Sequence, residues 1–126
     1  MAKDIDISLN NLRTDYIDLY QVHNPTPADL EKVVAPGGAL EALLEAKAAG
    51  KIGHIGLTAH STEVFKAALE MDWVETVMFP YNIVETQGEK LIRACGEKNI
   101  GFIAMKPLAG GAIEDPTLAL RFITAN

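Results

Sequence analysis

The sequence predicts an α/β fold with a parallel sheet, specifically part of a (β/α)8 TIM barrel. Four strand patterns alternate with helical patterns, and the strands begin roughly 36, 24 and 24 residues apart. Connections of this length allow each chain crossover to return to the same edge of a parallel sheet. The glycine-rich dinucleotide fingerprint of doubly wound sheets follows none of the strands, which favours the barrel.

The first unit is preceded by a helical pattern over residues 5–12. Residues 16–23 are rich in β-branched and aromatic side chains and lead into Asn24 and Pro25, which predicts a strand followed by a loop. Residues 26–36 are mostly polar and are expected to hold at most a short helix. The first crossover helix is therefore expected after this segment.

The first crossover helix is predicted at residues 38–49, and Gly50 is placed to end it. A strand follows at residues 52–58. Ser61 is a suitable N-cap for the next helix, residues 62–71, whose apolar side chains recur at helical spacing. The pattern thus repeats a strand followed by a helix.

Two further units complete the pattern. We expect strands at residues 76–81 and 100–105, and helices at residues 88–98 and 116–124. Four strands cannot close an eight-stranded barrel, and an open sheet leaves two edges unpaired. Residues 1–126 are therefore expected to form one partial barrel domain, either as a fragment of a longer protein or with its exposed edges available for self-association.

Composition excludes several classes of function. The net charge of −6 and the absence of a basic stripe argue against nucleic-acid binding, and the apolar runs are too short to span a membrane. Cys95 is the single cysteine, so no intrachain disulfide or thiolate metal cluster can form, and no metal site is expected. Its place in an amphipathic helix indicates a buried thiol in a reducing compartment, for which the cytoplasm is the simplest expectation.

His23 is the leading candidate for chemistry, because barrel active sites lie at the carboxyl ends of the strands. Strand alternation places His23 on the same face as Leu19 and Gln21. An imidazole at this position could orient a carbonyl oxygen or transfer a proton. A structural histidine that is hydrogen-bonded at the strand end explains the same pattern, so the sequence leaves both interpretations open.

Lys106 ends the fourth strand and precedes a loop of small residues, 107–112. Such a lysine could bind phosphate or act as a Schiff-base nucleophile, and a small-residue loop can approach a pyrophosphate closely. The alternative is a solvated lysine beside a flexible turn. Ser61 is expected to act only as a helix cap, and His54 to have a structural role.

Three segments resemble the aldo/keto reductase family. Residues 8–25 are similar to the family's segment around its catalytic histidine, residues 50–58 to its next strand, and residues 104–111 to its seventh strand and cofactor loop. The order and spacing match along essentially the whole chain. The resemblance implies that this chain carries strands four to seven of the family's barrel.

The resemblance also implies roles for single residues. His23 matches the histidine that orients the substrate carbonyl beside a tyrosine acid. Thr58 matches a hydroxyl residue that helps to hold the nicotinamide carboxamide, although Ala59 stands where an asparagine usually follows. Met78 lies where many members have a glutamine, and Met105 where many stack a tyrosine on the nicotinamide ring.

The resemblance assigns the rest of the cofactor site to the loop after the fourth strand. The residues that match the pyrophosphate-wrapping loop are Lys106, Leu108 and Gly110. The implied cofactor is NADP or NAD, and the implied substrate is a small carbonyl compound. The family's catalytic aspartate, tyrosine and lysine precede the first strand seen here, so Lys106 is not that lysine.

The sequence therefore predicts NAD(P)H-dependent reduction of aldehydes or ketones for a complete enzyme, with little activity in this chain alone. Two alternatives remain. One is a Schiff-base aldolase that uses Lys106 as the nucleophile. The other is a non-catalytic half-barrel that binds a nucleotide or serves as an assembly module.

Overall fold

A computed structural model describes residues 1–125, which contain a single sheet of four parallel strands in the order β1-β2-β3-β4. The strands are β1 (Ile17–His23), β2 (Ile52–Thr58), β3 (Thr76–Pro80) and β4 (Gly101–Met105). Each strand pairs in parallel with the next one along the chain. The predicted α/β architecture with a parallel sheet is confirmed.

Among residues 1–125, six α-helices connect or flank the strands. They are α1 (Ala2–Leu12), α2 (Pro27–Val34), α3 (Ala39–Ala48), α4 (Thr62–Ala68), α5 (Glu89–Glu97) and α6 (Pro116–Ala125), with a 3-10 turn at Ala109–Gly111. In the described part of the chain, no helix is long and apolar enough to cross a membrane. The helices instead pack on one face of the sheet and alternate with the strands in sequence.

Local sequence explains where helices begin and end. The side chain of Thr26 accepts a hydrogen bond from the Asp29 amide and forms a capping box that begins α2. Ser61 accepts from the Glu63 amide, which confirms the predicted cap of α4. The prediction that α4 reaches Met71 was wrong, because the amides of Glu70 and Met71 bond to carbonyls three residues back and the helix ends in turns.

The hydrophobic core lies between the sheet and the helices in two clusters. The larger cluster is centred on β2, β3, α4 and α5 and includes the fully buried Phe65, Leu57 and Phe79. The second joins β1 and β2 to α1 and α3 through side chains such as Leu43 and Ile55. Burial of side chains of this size contributes about 1.5–3 kcal/mol each. The packing fixes which sheet face meets the helices.

The other sheet face, called the inner face below, carries the alternate residues. Gly56 belongs to it, and a Cβ there would meet the side chains of Thr76, Gln21 and Leu19. The Gln21 amide nitrogen and the Thr76 hydroxyl are buried without a hydrogen-bond partner among residues 1–125. Strands β1 and β4 each pair on one side only within these residues. Self-association through such edges stays a prediction.

Candidate functional site

Three of the predicted site residues lie side by side at the carboxyl end of the sheet. In the strand register, His23 pairs with Thr58, and Thr58 pairs with Met78. Residues in register on parallel strands present their side chains to the same face. Met105 pairs with Pro80, two residues further along β3, and so stands one pleat beyond this row. The structure thus brings these candidates together on the inner face.

Thr58 connects β1 to β2 through its hydroxyl. Thr58 is 5% exposed, and its Oγ1 accepts a hydrogen bond of 2.8 Å from the Asn24 amide. The same oxygen lies 3.2 Å from Nδ1 of His23. Because Asn24 already donates to Oγ1, the hydroxyl proton is available for Nδ1. With the hydroxyl as donor, Nδ1 is the acceptor, and a neutral imidazole then carries its proton on Nε2.

Asn24 extends this network to the segment between β2 and α4. Its backbone is left-handed, with φ 41°, a conformation that asparagine tolerates better than most residues. Its side-chain oxygen accepts a 3.2 Å hydrogen bond from the His60 amide and lies 3.1 Å from His60 Nδ1. The end of β1 is therefore fixed to the end of β2. Sequence reasoning placed Asn24 at a strand end but did not find this contact.

Residues 106–111, called the 106–111 loop, follow β4 at the same end of the sheet. Lys106, Ala109, Gly110 and Gly111 all have positive φ values, between 49° and 100°. The amides of Ala109 and Gly111 donate within the loop, to the carbonyls of Lys106 and Leu108, and close it as two turns. No atom lies within 4 Å of where a Cβ would stand on Gly110 or Gly111. The backbone is accessible to a pyrophosphate, so this loop fits the implied dinucleotide.

Lys106 itself is exposed, as are Leu108 and Gly110. A Schiff-base lysine is usually activated by desolvation in an apolar pocket or by a neighbouring cation. The exposed amine of Lys106 does not show that desolvation. Its geometry suits electrostatic contact with an anion better than covalent attack on a carbonyl.

His54 lies toward the opposite end of β2. Its Nδ1 is 2.8 Å from Oε1 of Glu75, whose Oε2 accepts bonds from the Ile55 amide and the Lys47 amine. These contacts join α3, β2 and the segment before β3. The expected structural role of His54 agrees with them. A cleft of about 730 Å3 lies at this opposite end, lined in part by His54 and Glu75, and so does not contain the candidate row.

Tyr81 follows β3 but does not face the candidate row. It is 3% exposed, and its ring makes an edge contact with Phe102 and a tilted contact with Phe122. Burial raises the pKa of its hydroxyl above the ordinary value of 10.0. Tyr81 is therefore a core residue and not a proton donor for this site.

Asn82 is a buried polar residue for which the sequence indicated no role. It is 0% exposed, and its side-chain amide donates a 2.9 Å hydrogen bond to the Lys106 carbonyl. The contact joins the segment after β3 to the start of the 106–111 loop. The only signal in the sequence is an asparagine directly after a strand, which by itself indicates a turn.

Comparison with known proteins decides the family. The sequence profile of the aldo/keto reductase family matches residues 1–118. The chain belongs to the aldo/keto reductase family. The family membership that three sequence segments indicated is thereby confirmed.

Individual aldo/keto reductases show how much of the family's fold is present. An aldo-keto reductase of Schizosaccharomyces pombe, yakc [NADP(+)], is 35% identical in an alignment of 118 residues, which covers 88% of this chain and 32% of that protein. The holo structure of aldo-keto reductase AKR11C1 from Bacillus halodurans matches with a TM-score of 0.75 and 29% identity, over 87% of this chain and 35% of that one.

A Klebsiella pneumoniae aldo/keto reductase, solved with NADP and acetate, matches with a TM-score of 0.71 and 26% identity. The match covers 90% of this chain and 40% of that one. The chain thus spans less than half the length of each of these aldo/keto reductases. The four-stranded sheet is part of the barrel of this family, which confirms the predicted partial barrel.

Proposed function

We propose that this chain supplies the carbonyl-orienting and dinucleotide-binding part of an NAD(P)H-dependent aldo/keto reductase that reduces aldehydes or ketones. The observation that carries the proposal is the His23–Thr58 contact on the inner face at the carboxyl end of the sheet. Active sites of (β/α)8 barrels lie at this end. Family membership supports the reaction class.

His23 orients the carbonyl in this proposal. With Nδ1 accepting from Thr58, the exposed imidazole presents Nε2–H as a donor for a carbonyl oxygen. A donor held in place before the substrate arrives stabilises the negative charge that develops on that oxygen during reduction. The imidazole is fixed through Thr58 and Asn24, so little rotational freedom is lost when the carbonyl binds.

The cofactor-binding residues are proposed to be those that the family motifs assign. They are Thr58, Met78, Met105, Lys106, Leu108 and Gly110. When bound, a reduced nicotinamide would supply the hydride for carbonyl reduction. The half-buried thioethers of Met78 and Met105 offer polarisable apolar contacts for a flat ring. Thr58 retains a lone pair beyond its two contacts, which could accept from a carboxamide N–H.

NADP is the proposed cofactor in preference to NAD. The Schizosaccharomyces pombe relative carries NADP(+) in its name, and the Klebsiella pneumoniae structure contains NADP. The amine of Lys106 and the accessible backbone of Gly110 would hold phosphate oxygens. Binding to nucleic acid or to a membrane is not part of the proposal, and a cytoplasmic location is proposed with it.

Among residues 1–125, no tyrosine is placed on this face to donate the proton for the new alcohol. The sequence contains three tyrosines. Tyr16 precedes β1 at its amino end, Tyr20 contacts Ser8 of α1 at 3.4 Å, and Tyr81 is packed in the core. Within the described residues, no tyrosine therefore stands beside His23. We propose that the isolated chain binds the cofactor but reduces carbonyl compounds slowly or not at all.

NADPH binding and turnover test this function in two steps. Fluorescence titration of the purified chain with NADPH should show saturable binding, and NADPH oxidation with a panel of aldehydes should stay near background. His23→Ala should leave NADPH binding within about threefold. A Lys106→Ala variant should weaken NADPH binding, whereas Lys66→Ala, at an exposed lysine of α4, serves as the charge-matched control.

Two results would overturn the proposal. Absence of saturable NADPH binding at millimolar concentrations would remove the cofactor role. Rapid aldehyde reduction by the isolated chain would show that a proton donor is present after all. Trapping of an aldehyde on Lys106 by borohydride would support the aldolase alternative. Saturable NADPH binding, together with unchanged aldehyde reduction when His23 is replaced in a complete enzyme, would favour a nucleotide-binding module.

A further inference from the structure

The 106–111 loop has a backbone that needs support from outside itself. Two of its left-handed residues, Lys106 (φ 55°) and Ala109 (φ 49°), are not glycine. A side chain in this conformation is strained, because its Cβ lies too close to the following carbonyl oxygen. The Lys106 carbonyl accepts a 2.9 Å bond from the Ala109 amide, which closes the first turn of the loop. The position of this carbonyl therefore determines the turn.

Asn82, in the segment after β3, holds the same Lys106 carbonyl. Its Nδ2 donates to the Lys106 carbonyl at 2.9 Å and to Oε2 of Glu85 at 2.8 Å. Its Oδ1 accepts from the amides of Val84 and Glu85, both at 3.0 Å. Both protons and both lone pairs of this buried amide are therefore used. A fully satisfied buried amide holds its partners in one arrangement.

We infer that Asn82 is a positioning residue, which sets the conformation of the 106–111 loop for binding the cofactor's pyrophosphate. The inference rests on the proposed function, because Asn82 acts through Lys106 and the loop amides and not on the ligand itself. Glu85 accepts a hydrogen bond from Asn82 on its other side, and among residues 1–125 it has no hydrogen bond to the loop itself. This difference separates loop positioning from simple stabilisation of the 82–85 turn.

Two variants test the inference with a matched control. Asn82→Ala removes the bond to Lys106, whereas Glu85→Ala removes one bond of the same turn and leaves Lys106 held. The double exchange Asn82→Asp with Glu85→Gln keeps the net charge and the bond between the two side chains with donor and acceptor reversed. That exchange replaces the donor to Lys106 with a carboxylate oxygen that repels the carbonyl, while the amides of Val84 and Glu85 keep their acceptor, so it is a second probe of the same contact if Asn82→Ala fails to fold.

Three measurements give the readout: hydrogen exchange of the Ala109 and Gly111 amides, NADPH affinity, and unfolding in urea. Asn82→Ala and the double variant should each speed the hydrogen exchange of both amides. Each should also weaken NADPH binding, and each effect should be about tenfold for one lost hydrogen bond. Glu85→Ala should change neither by more than about twofold at comparable stability.

Unchanged hydrogen exchange of the loop amides in the Asn82→Asp, Glu85→Gln double variant would overturn the inference. Faster hydrogen exchange of these amides with undiminished NADPH affinity would also overturn it. If the unmodified chain binds no NADPH, the proposed function fails. Amide exchange in the 106–111 loop then still decides whether Asn82 sets its conformation.

Discussion

Thr58 and His23 occupy paired positions on adjacent parallel strands, and the Thr58 hydroxyl lies 3.2 Å from Nδ1 of His23. The hydroxyl is buried, while the imidazole reaches the exposed inner face. Since the Asn24 amide donates to the same oxygen at 2.8 Å, the hydroxyl is oriented before any ligand binds. One buried side chain therefore contacts both the imidazole of His23 and the backbone that follows β1.

Replacing Thr58 with valine tests this relationship. Thr58→Val keeps the shape but leaves the Asn24 amide without its acceptor, so the free energy of unfolding should fall by about 1–3 kcal/mol. The 15N chemical shifts of His23 should show mainly the Nε2–H tautomer in the unmodified chain and a mixture in Thr58→Val. Thr58→Ser, which retains the hydroxyl, is the control, and an unchanged His23 spectrum in Thr58→Val would contradict the assignment.

The sequence was sufficient to predict the order and type of the main elements, because each strand and helix carries its own period. Boundaries were less certain where local bonds compete with the sheet. Tyr16 was predicted to begin β1, but its amide donates to the Thr14 hydroxyl at 3.3 Å and not to the sheet, so the strand begins at Ile17. Tyr81 was predicted within β3, which ends at Pro80.

The site could be predicted only in part. Strand alternation was enough to place His23 on a polar face, and the family motifs named Thr58 and Met78. Asn82 could not be found this way, because its bond to Lys106 crosses 24 residues of sequence and depends on how β3 and β4 meet. The left-handed backbone of Lys106 is also set by that contact, since nothing in a lysine favours it.

Self-association is the next prediction. Strands β1 and β4 have open edges among residues 1–125, and the helices beside them in sequence expose Ile7 (55%) and Leu120 (54%). Open edges together with exposed apolar side chains favour pairing between copies of a chain. Light scattering after size exclusion should give masses above one chain that rise with concentration.

A charged double variant tests which surface is used. Ile7→Glu with Leu120→Glu should shift the association to higher concentrations by about tenfold or more. Val84→Glu, a change at a turn residue that is 68% exposed, should leave it unaltered. A chain that stays monomeric at all concentrations would show the prediction to be wrong.

Cys95 should be chemically inert in the folded chain. It is 1% exposed, and burial raises the pKa of its thiol to about 11. At pH 8 roughly one thiol in a thousand would be ionised, and that thiol is shielded from reagent. Reaction with Ellman's reagent should be at least about 100-fold slower in native buffer than in denaturant, with one thiol released per chain. Equal rates in the two conditions would place Cys95 at the surface.

Glu75 makes the stability of the fold dependent on pH in the acid range. Burial would raise the pKa of its carboxyl, but hydrogen bonds from Lys47, His54 and the Ile55 amide outweigh burial and lower the pKa from 4.5 to about 2. A carboxyl whose pKa is lower in the folded state stabilises the fold above its unfolded pKa. This contribution is complete above about pH 4.5 and is lost as the pH falls toward 2.

Glu75→Gln should therefore be less stable than the unmodified chain at pH 7, by about 1–2 kcal/mol for the weakened ionic bonds. The difference in unfolding free energy should shrink steadily between pH 4.5 and pH 2, which urea titrations at several pH values would measure. Glu70→Gln is the control, because it removes an exposed ion pair with Lys98 and should cost less than about 1 kcal/mol at neutral pH. A gap between Glu75→Gln and the unmodified chain that stays constant down to pH 2 would mean that the carboxylate charge of Glu75 is not what holds α3 to the sheet.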